Sequence, residues 1–188
     1  MNALFVAAVS LELFCRSRGW RCCIIGGLAV QRWGDPRQTR DVDLTILTGL
    51  GGEEHFIDPL LEEYRGRIPN ARAFAIDHRV VLAETADGTP LDISLAGLPY
   101  EARVIERSST FQIAPATSFT TCSAEDLIVL KAFADRPQDW LDIEGIVVRQ
   151  GNRVDRGLVR EELTALLLLK EDPEPGIKLE RLFTKHSG

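Results

Sequence analysis

Residues 39–47 read Thr39-Arg40-Asp41-Val42-Asp43-Leu44-Thr45-Ile46-Leu47. Val42, Leu44 and Ile46 alternate with Asp41, Asp43 and Thr45, the period of a strand with one apolar and one polar face. Asp41 and Asp43 then point to the same side, with Cα atoms about 7 Å apart. Two ionised carboxylates this close repel each other and resist burial unless a cation or hydrogen-bond donors compensate them. Magnesium is the natural compensator, because it takes oxygen ligands and keeps waters and substrate phosphates as the remainder. Taken alone, an Asp-x-Asp pair on a strand is more often a solvated edge or a turn anchor, so the flanking sequence has to decide.

Upstream, Trp20–Ile25 reads as a short buried strand, closed by Gly26-Gly27 and followed by a helical stretch, Leu28–Trp33, that ends near Gly34-Asp35-Pro36. The free N–H groups and positive end of such a helix suit a triphosphate, although a simple tight turn explains Gly26-Gly27 equally well. Downstream, Gly49, Gly51 and Gly52 end the aspartate strand, and Glu53–Tyr64 is expected to be a helix that Pro59 begins or kinks. Ala73–Glu84 and Pro90–Leu95 are β-rich and separated by Asp87-Gly88, so an antiparallel pair is expected. Asp92, between Leu91 and Ile93, alternates outward from an apolar face and supplies a third carboxylate. Three aspartates from two strands can bracket a two-metal site, whose ions sit roughly 3.5–4 Å apart and stabilise both oxygens of an in-line phosphoryl displacement.

The rest of the chain supplies further helices and strands. Asn2–Arg18 has helical spacing with a stop at Gly19; Leu98–Arg107 is expected to be helical, and Thr110–Thr121 to form one or two short strands bent at Pro115. Beyond Cys122, Ser123-Ala124-Glu125-Asp126 resembles a capping box, and Leu127, Leu130 and Ala134 mark the helix it opens. Further helices are expected from Pro137 to about Val148, from about Arg156 to Lys170, and after Pro175. The fold class is therefore α+β, a mixed sheet flanked by helices with a C-terminal helical lobe. The expected domains are a catalytic core over residues 1–121 and a helical lobe over residues 122–188.

Composition excludes some classes. A formal net charge of -6 argues against a surface that grips nucleic acid all over, though not against a local basic patch. Cys15, Cys22, Cys23 and Cys122 form no C-x-x-C pair, so neither a zinc knuckle nor a disulfide framework is indicated. The apolar start is interrupted by Glu12 and lacks the marks of a leader, and the Leu166–Leu169 run is far too short to span a bilayer. A reduced cytoplasmic protein without membrane contact is the expectation. His55, His78 and His186 have no partner at ligand spacing, and Trp20, Trp33 and Trp140 fall within apolar patterns.

Ile25-Gly26-Gly27, then Asp41-Val42-Asp43-Leu44, then Leu91-Asp92-Ile93 resembles the nucleotidyltransferase superfamily that includes DNA polymerase beta. Gly26-Gly27-Leu28-Ala29, Thr39-Arg40-Asp41-Val42-Asp43-Leu44 and the later Ala124–Ile128, Lys131, Arg136–Asp139 and Asp142-Ile143 look more narrowly like the abortive-infection nucleotidyltransferase toxins. The resemblance implies that Asp41, Asp43 and Asp92 are catalytic and hold two Mg2+ ions. It implies nucleotide contacts from Gly26, Gly27, Arg40, Lys131 and Asp142, with Lys131 at the triphosphate. A solvated lysine on a helix is the competing account of Lys131. The implied activity is transfer of a nucleoside monophosphate from a nucleoside triphosphate such as ATP to a hydroxyl on a transfer-RNA end or protein side chain. The implied role is the toxin of a toxin–antitoxin pair, with a cognate antitoxin as partner. Alternatives are a small-molecule, antibiotic-type nucleotidyltransferase, a non-catalytic nucleotide-binding module, and a metal-dependent phosphohydrolase, which normally brings histidine ligands.

Overall fold

The computed structural model describes residues 2–186; Met1, Ser187 and Gly188, which lie at the ends of the two expected domains, are outside the described residues. The chain forms two compact units. The first comprises the chain up to Leu28 together with Gln38–Cys122, and the second comprises Ala29–Arg37 and the chain from Ser123 onward.

The first unit is built on a sheet. Its strands are β1 (Cys22–Ile24), β2 (Val42–Leu47), β3 (Arg65–Gly66), β4 (Val80–Glu84), β5 (Pro90–Ala96), β6 (Ser109–Ala114) and β7 (Thr117–Thr121). They lie in the order β3-β4-β5-β2-β1-β7-β6. The sheet is mixed: β2 runs parallel to β5 and β1 to β7, whereas β1–β2, β3–β4, β4–β5 and β6–β7 are antiparallel. Alternation decides which face is covered. Val42, Leu44 and Ile46 of β2 and Leu91, Ile93 and Leu95 of β5 are buried in one core, while Asp43 and Asp92 stand half-buried on the other face. Helix α1 (Ala3–Ser17) adds Ala7, Ala8, Leu11 and Cys15 to that core. Its buried Glu12 accepts the Thr120 N–H of β7, which accounts for an acid inside an apolar helix. The cysteines Cys15, Cys22, Cys23 and Cys122 are all buried and form no disulfide.

The helices of this unit include α3 (Glu54–Glu63), α4 (Ala71–His78) and α5 (Pro99–Glu106). One expectation is corrected and another narrowed. The strand expected over Ala73–Glu84 is a helix up to His78, and only Val80–Glu84 pairs with β5. Ala71, Ala73 and Ala75 favour helix, and Arg79 ends it in the left-handed region, its N–H donating to Ala75 O, before the β-branched run Val80-Val81 begins. Pro59 does not begin its helix but lies inside α3, which leaves the other expected alternative, a kink, standing. The carbonyl that loses its helical donor is four residues back, on His55, which is exposed.

The second unit is helical: α6 (Ala124–Ala134), α7 (Pro137–Gln150), α8 (Arg156–Lys170) and α9 (Glu174–Lys185). Ser123 caps α6, its Oγ accepting the Asp126 N–H at 3.0 Å. Helix α6 packs against α7, α8 and α9, so Leu127, Ile128, Val129, Lys131 and Ala132 are all buried; Ala134, expected on its apolar stripe, is exposed. Helix α2 (Gly26–Trp33) begins in the first unit and ends in the second. Among the described residues no helix is long and apolar enough to cross a membrane.

Candidate active site

The parallel register of β2 and β5 sets Asp43 directly opposite Asp92, and Asp41 immediately precedes β2 on the same face. One carboxylate oxygen from each of Asp41, Asp43 and Asp92 falls within 4.8 Å of the others. Neighbouring strands lie about 4.8 Å apart, so paired strands bearing acids at matched positions converge on a common point without any loop having to place them.

Gly26 and Gly27 make room for this arrangement. Gly26 has φ +60°, and a Cβ there would lie 1.9 Å from Asp43 Oδ2. A Cβ on Gly27 would lie 2.4 Å from Thr39 Oγ1. That hydroxyl donates to Asp41 Oδ1 at 3.0 Å, and the Gly27 N–H faces Asp43 Oδ2 at 3.4 Å. The glycine pair thus admits Asp43 itself and Thr39, the side chain that holds Asp41.

Electrostatics single out Asp92. Burial holds the Asp92 carboxyl above the usual carboxylate range, the positive charge of Arg67 opposes that rise, and Asp41 adds to it. Arg67 forms an ion pair with Asp92. Sequence reasoning missed Arg67, because it reaches the site only through register. Its N–H donates to Leu82 O at 2.9 Å, Leu82 lies opposite Asp92, and Asp92 lies opposite Asp43. The donor set, carboxylate oxygens alone, fits a hard divalent cation such as Mg2+ and not a thiolate- or imidazole-seeking metal.

The other expected site residues stand on other segments of the chain. Arg40 is exposed, next to Asp41 in sequence. Lys131 and Asp142 belong to the helical unit. Lys131 Nζ lies 3.0 Å from Asp139 Oδ1 and 2.6 Å from Asp142 Oδ2, and it is buried, which disposes of the solvated-lysine account. Arg37 grips Asp142 through both carboxylate oxygens at 2.7 and 2.8 Å, and Arg136 Nε donates to Asp139 at 2.7 Å. Burial alone would raise both carboxyls; hydrogen bonds from Arg136 and Lys131 hold Asp139, and from Arg37 and Lys131 hold Asp142, below the usual range. The histidines pack or pair: His55 against Trp20 and Phe56, His78 on Phe74, and His186 with Glu144.

Similarity to solved structures meets this geometry. An antigenic nucleotidyltransferase-like protein from Paracoccidioides brasiliensis superposes with a TM-score of 0.55 at 17% identity, covering 94% of this chain and 92% of that one. The fold is nucleotidyltransferase-like. The antibiotic-resistance factor ANT(2'')-Ia gives a TM-score of 0.53 at 18% identity over 97% of this chain and 96% of that one. The lincosamide antibiotic adenylyltransferase LnuA gives 0.51 at 13% identity over 78% of this chain and 96% of that one. No protein-family model and no curated protein matches the sequence.

Proposed function

We propose that this protein is a Mg2+-dependent nucleotidyltransferase that moves a nucleoside monophosphate from a nucleoside triphosphate to an acceptor hydroxyl. The observation that carries the reading is the convergence of Asp41, Asp43 and Asp92 from two parallel strands on a nucleotidyltransferase-like sheet. Asp41 and Asp43 would hold two ions, with Asp92 as the third ligand. Bound there, magnesium supplies charge neutralisation on the phosphates and lowers the cost of ionising the attacking oxygen. On the family resemblance, Gly26 and Gly27 at the start of α2 and exposed Arg40, next to Asp41 in sequence, are taken as nucleotide contacts. Lys131 and Asp142 are retained as nucleotide contacts on the resemblance of the helical motif alone.

By the same resemblance, to abortive-infection toxins, the acceptor is a transfer-RNA end or a protein side chain, and the protein is a toxin opposed by an antitoxin. The reading is tested by incubating purified protein, Mg2+ and each of four α-phosphate-labelled nucleoside triphosphates with cell extract. Label on RNA or protein supports transfer to a macromolecular acceptor. Label confined to a small molecule redirects it to an antibiotic-type acceptor, and label on nothing leaves a nucleotide-binding module.

A further inference from the structure

We propose that Arg67 is a built-in counter-ion of the metal centre, holding Asp92 in the metal-free protein and surrendering that carboxylate when a divalent cation takes it. The inference rests on the metal-centre reading of Asp41, Asp43 and Asp92 given above.

Arg67 is placed by backbone and not by chance contact. Its N–H extends the β3–β4 pairing onto Leu82 O, and Leu82 is the residue opposite Asp92. Two strand spacings, about 10 Å, separate the Arg67 and Asp92 backbones, a gap that an arginine and an aspartate side chain close between them. The pair is neither open to solvent nor sealed: the Arg67 side chain is 28% exposed and that of Asp92 33%. An ion pair at this depth keeps much of its attraction yet can exchange partners. Asp92 also faces Asp43 in register and takes added repulsion from Asp41, so a cation on this face relieves a strain that the sheet itself imposes. Arg67 provides that cation when no metal is present.

The consequence has a sign. A guanidinium on Asp92 both occupies a ligand oxygen and repels an incoming dication, so Arg67 weakens metal binding while steadying the empty site. Arg65 provides an internal control. It stands two residues earlier, pairs with Glu84 and not with an aspartate of the cluster, and its removal alters general charge without freeing a ligand.

The test is Mn2+ binding to the full chain without nucleotide, followed by the paramagnetic signal of free Mn2+, with thermal unfolding of the metal-free protein as the check on folding. Arg67→Met is expected to bind Mn2+ about tenfold more tightly than the parent and to melt lower without metal. Arg67→Gln, which keeps a polar end, carries the same test should the methionine variant fail to fold. Arg65→Met is expected to bind Mn2+ as the parent does. Parent binding that Arg67→Met and Arg67→Gln leave unchanged or weaken would overturn the counter-ion role alone and make Arg67 a support that orients Asp92. A parent that binds no Mn2+ would overturn the metal centre and this inference together.

Discussion

The sheet and the helical unit each carry a cluster of charges, and the two are built on opposite terms. In the sheet, Asp41, Asp43 and Asp92 converge half-buried, and burial with mutual repulsion pushes Asp92 up. In the helical unit, Lys131, Asp139 and Asp142 are 6%, 3% and 3% exposed, and Arg37 and Arg136 complete a lattice in which each carboxylate meets two basic side chains. The first cluster gathers three carboxylates at partial exposure, with Arg67 paired to Asp92, and is the more open of the two. The second satisfies itself. On the proposed reading the first cluster keeps part of its electrostatic demand for metal and substrate, whereas the second, whatever contact Lys131 and Asp142 also make to nucleotide, meets its demand within the fold.

The largest effect that separates the two should come from removing one acid of the open cluster. Asp41→Asn or Asp43→Asn keeps shape and removes a ligand charge, so nucleotidyl transfer should fall by about a thousandfold, as expected when several kcal/mol of metal-borne stabilisation are lost. Metal-free stability should hold or rise, because a repulsion is gone. Transfer assays and thermal melts on the same preparations check both halves. Near-normal transfer in both variants would place the chemistry elsewhere.

The converse holds for the closed cluster. Lys131→Met leaves Asp139 and Asp142 buried with one cation fewer, and breaking a buried pair costs about 3 kcal/mol or more of stability. For a chain of this size that is a fall of about 10 °C in melting temperature. The pH dependence has a definite direction. Asp139 and Asp142 have depressed folded values, so their contribution is present above the ordinary aspartate value of about 3.9 and is lost as pH falls through the folded values. The deficit of Lys131→Met should therefore be widest near neutrality and narrow below about pH 4. A variant that melts like the parent but binds nucleotide poorly would instead make Lys131 a pure ligand contact and erase the contrast.

These two clusters were unequally legible in the sequence. Asp41, Asp43 and Asp92 could be read because each sits in a local period-two pattern whose apolar partners, Val42, Leu44, Leu91 and Ile93, announce the buried face. Arg67 could not, since its position depends on β3, a strand of two residues, and on a register that crosses β4. The ion cluster joins Arg37 to Asp142 across 105 positions, a pairing no local pattern encodes. The Ala73–His78 error is of another kind: Phe74 and Ile76 alternate with alanines as a strand would, and only the left-handed Arg79, a cap with no distinctive residue type, reveals the helix end.

The smallest effect expected is also the finest probe of the open cluster. Thr39 Oγ1 donates to Asp41 Oδ1 at 3.0 Å, and Thr39 is buried where Gly27 lacks a Cβ. Thr39→Val keeps the β-branched shape and removes only the hydroxyl, so the pocket stays filled while Asp41 loses one donor. A hydrogen bond to a charged group contributes about 1.5–3 kcal/mol, and part of that is returned when metal or water takes the vacated lone pair. Transfer should therefore fall by about three- to tenfold at saturating Mg2+, with a melting temperature within about 2 °C of the parent. The Mg2+ concentration for half-maximal rate should rise as well, because an Asp41 carboxylate free to rotate must be ordered by the ion it binds. If transfer and Mg2+ dependence are both unchanged while stability drops, Thr39 serves the fold and not the site, and Gly27 must then be explained by chain packing alone.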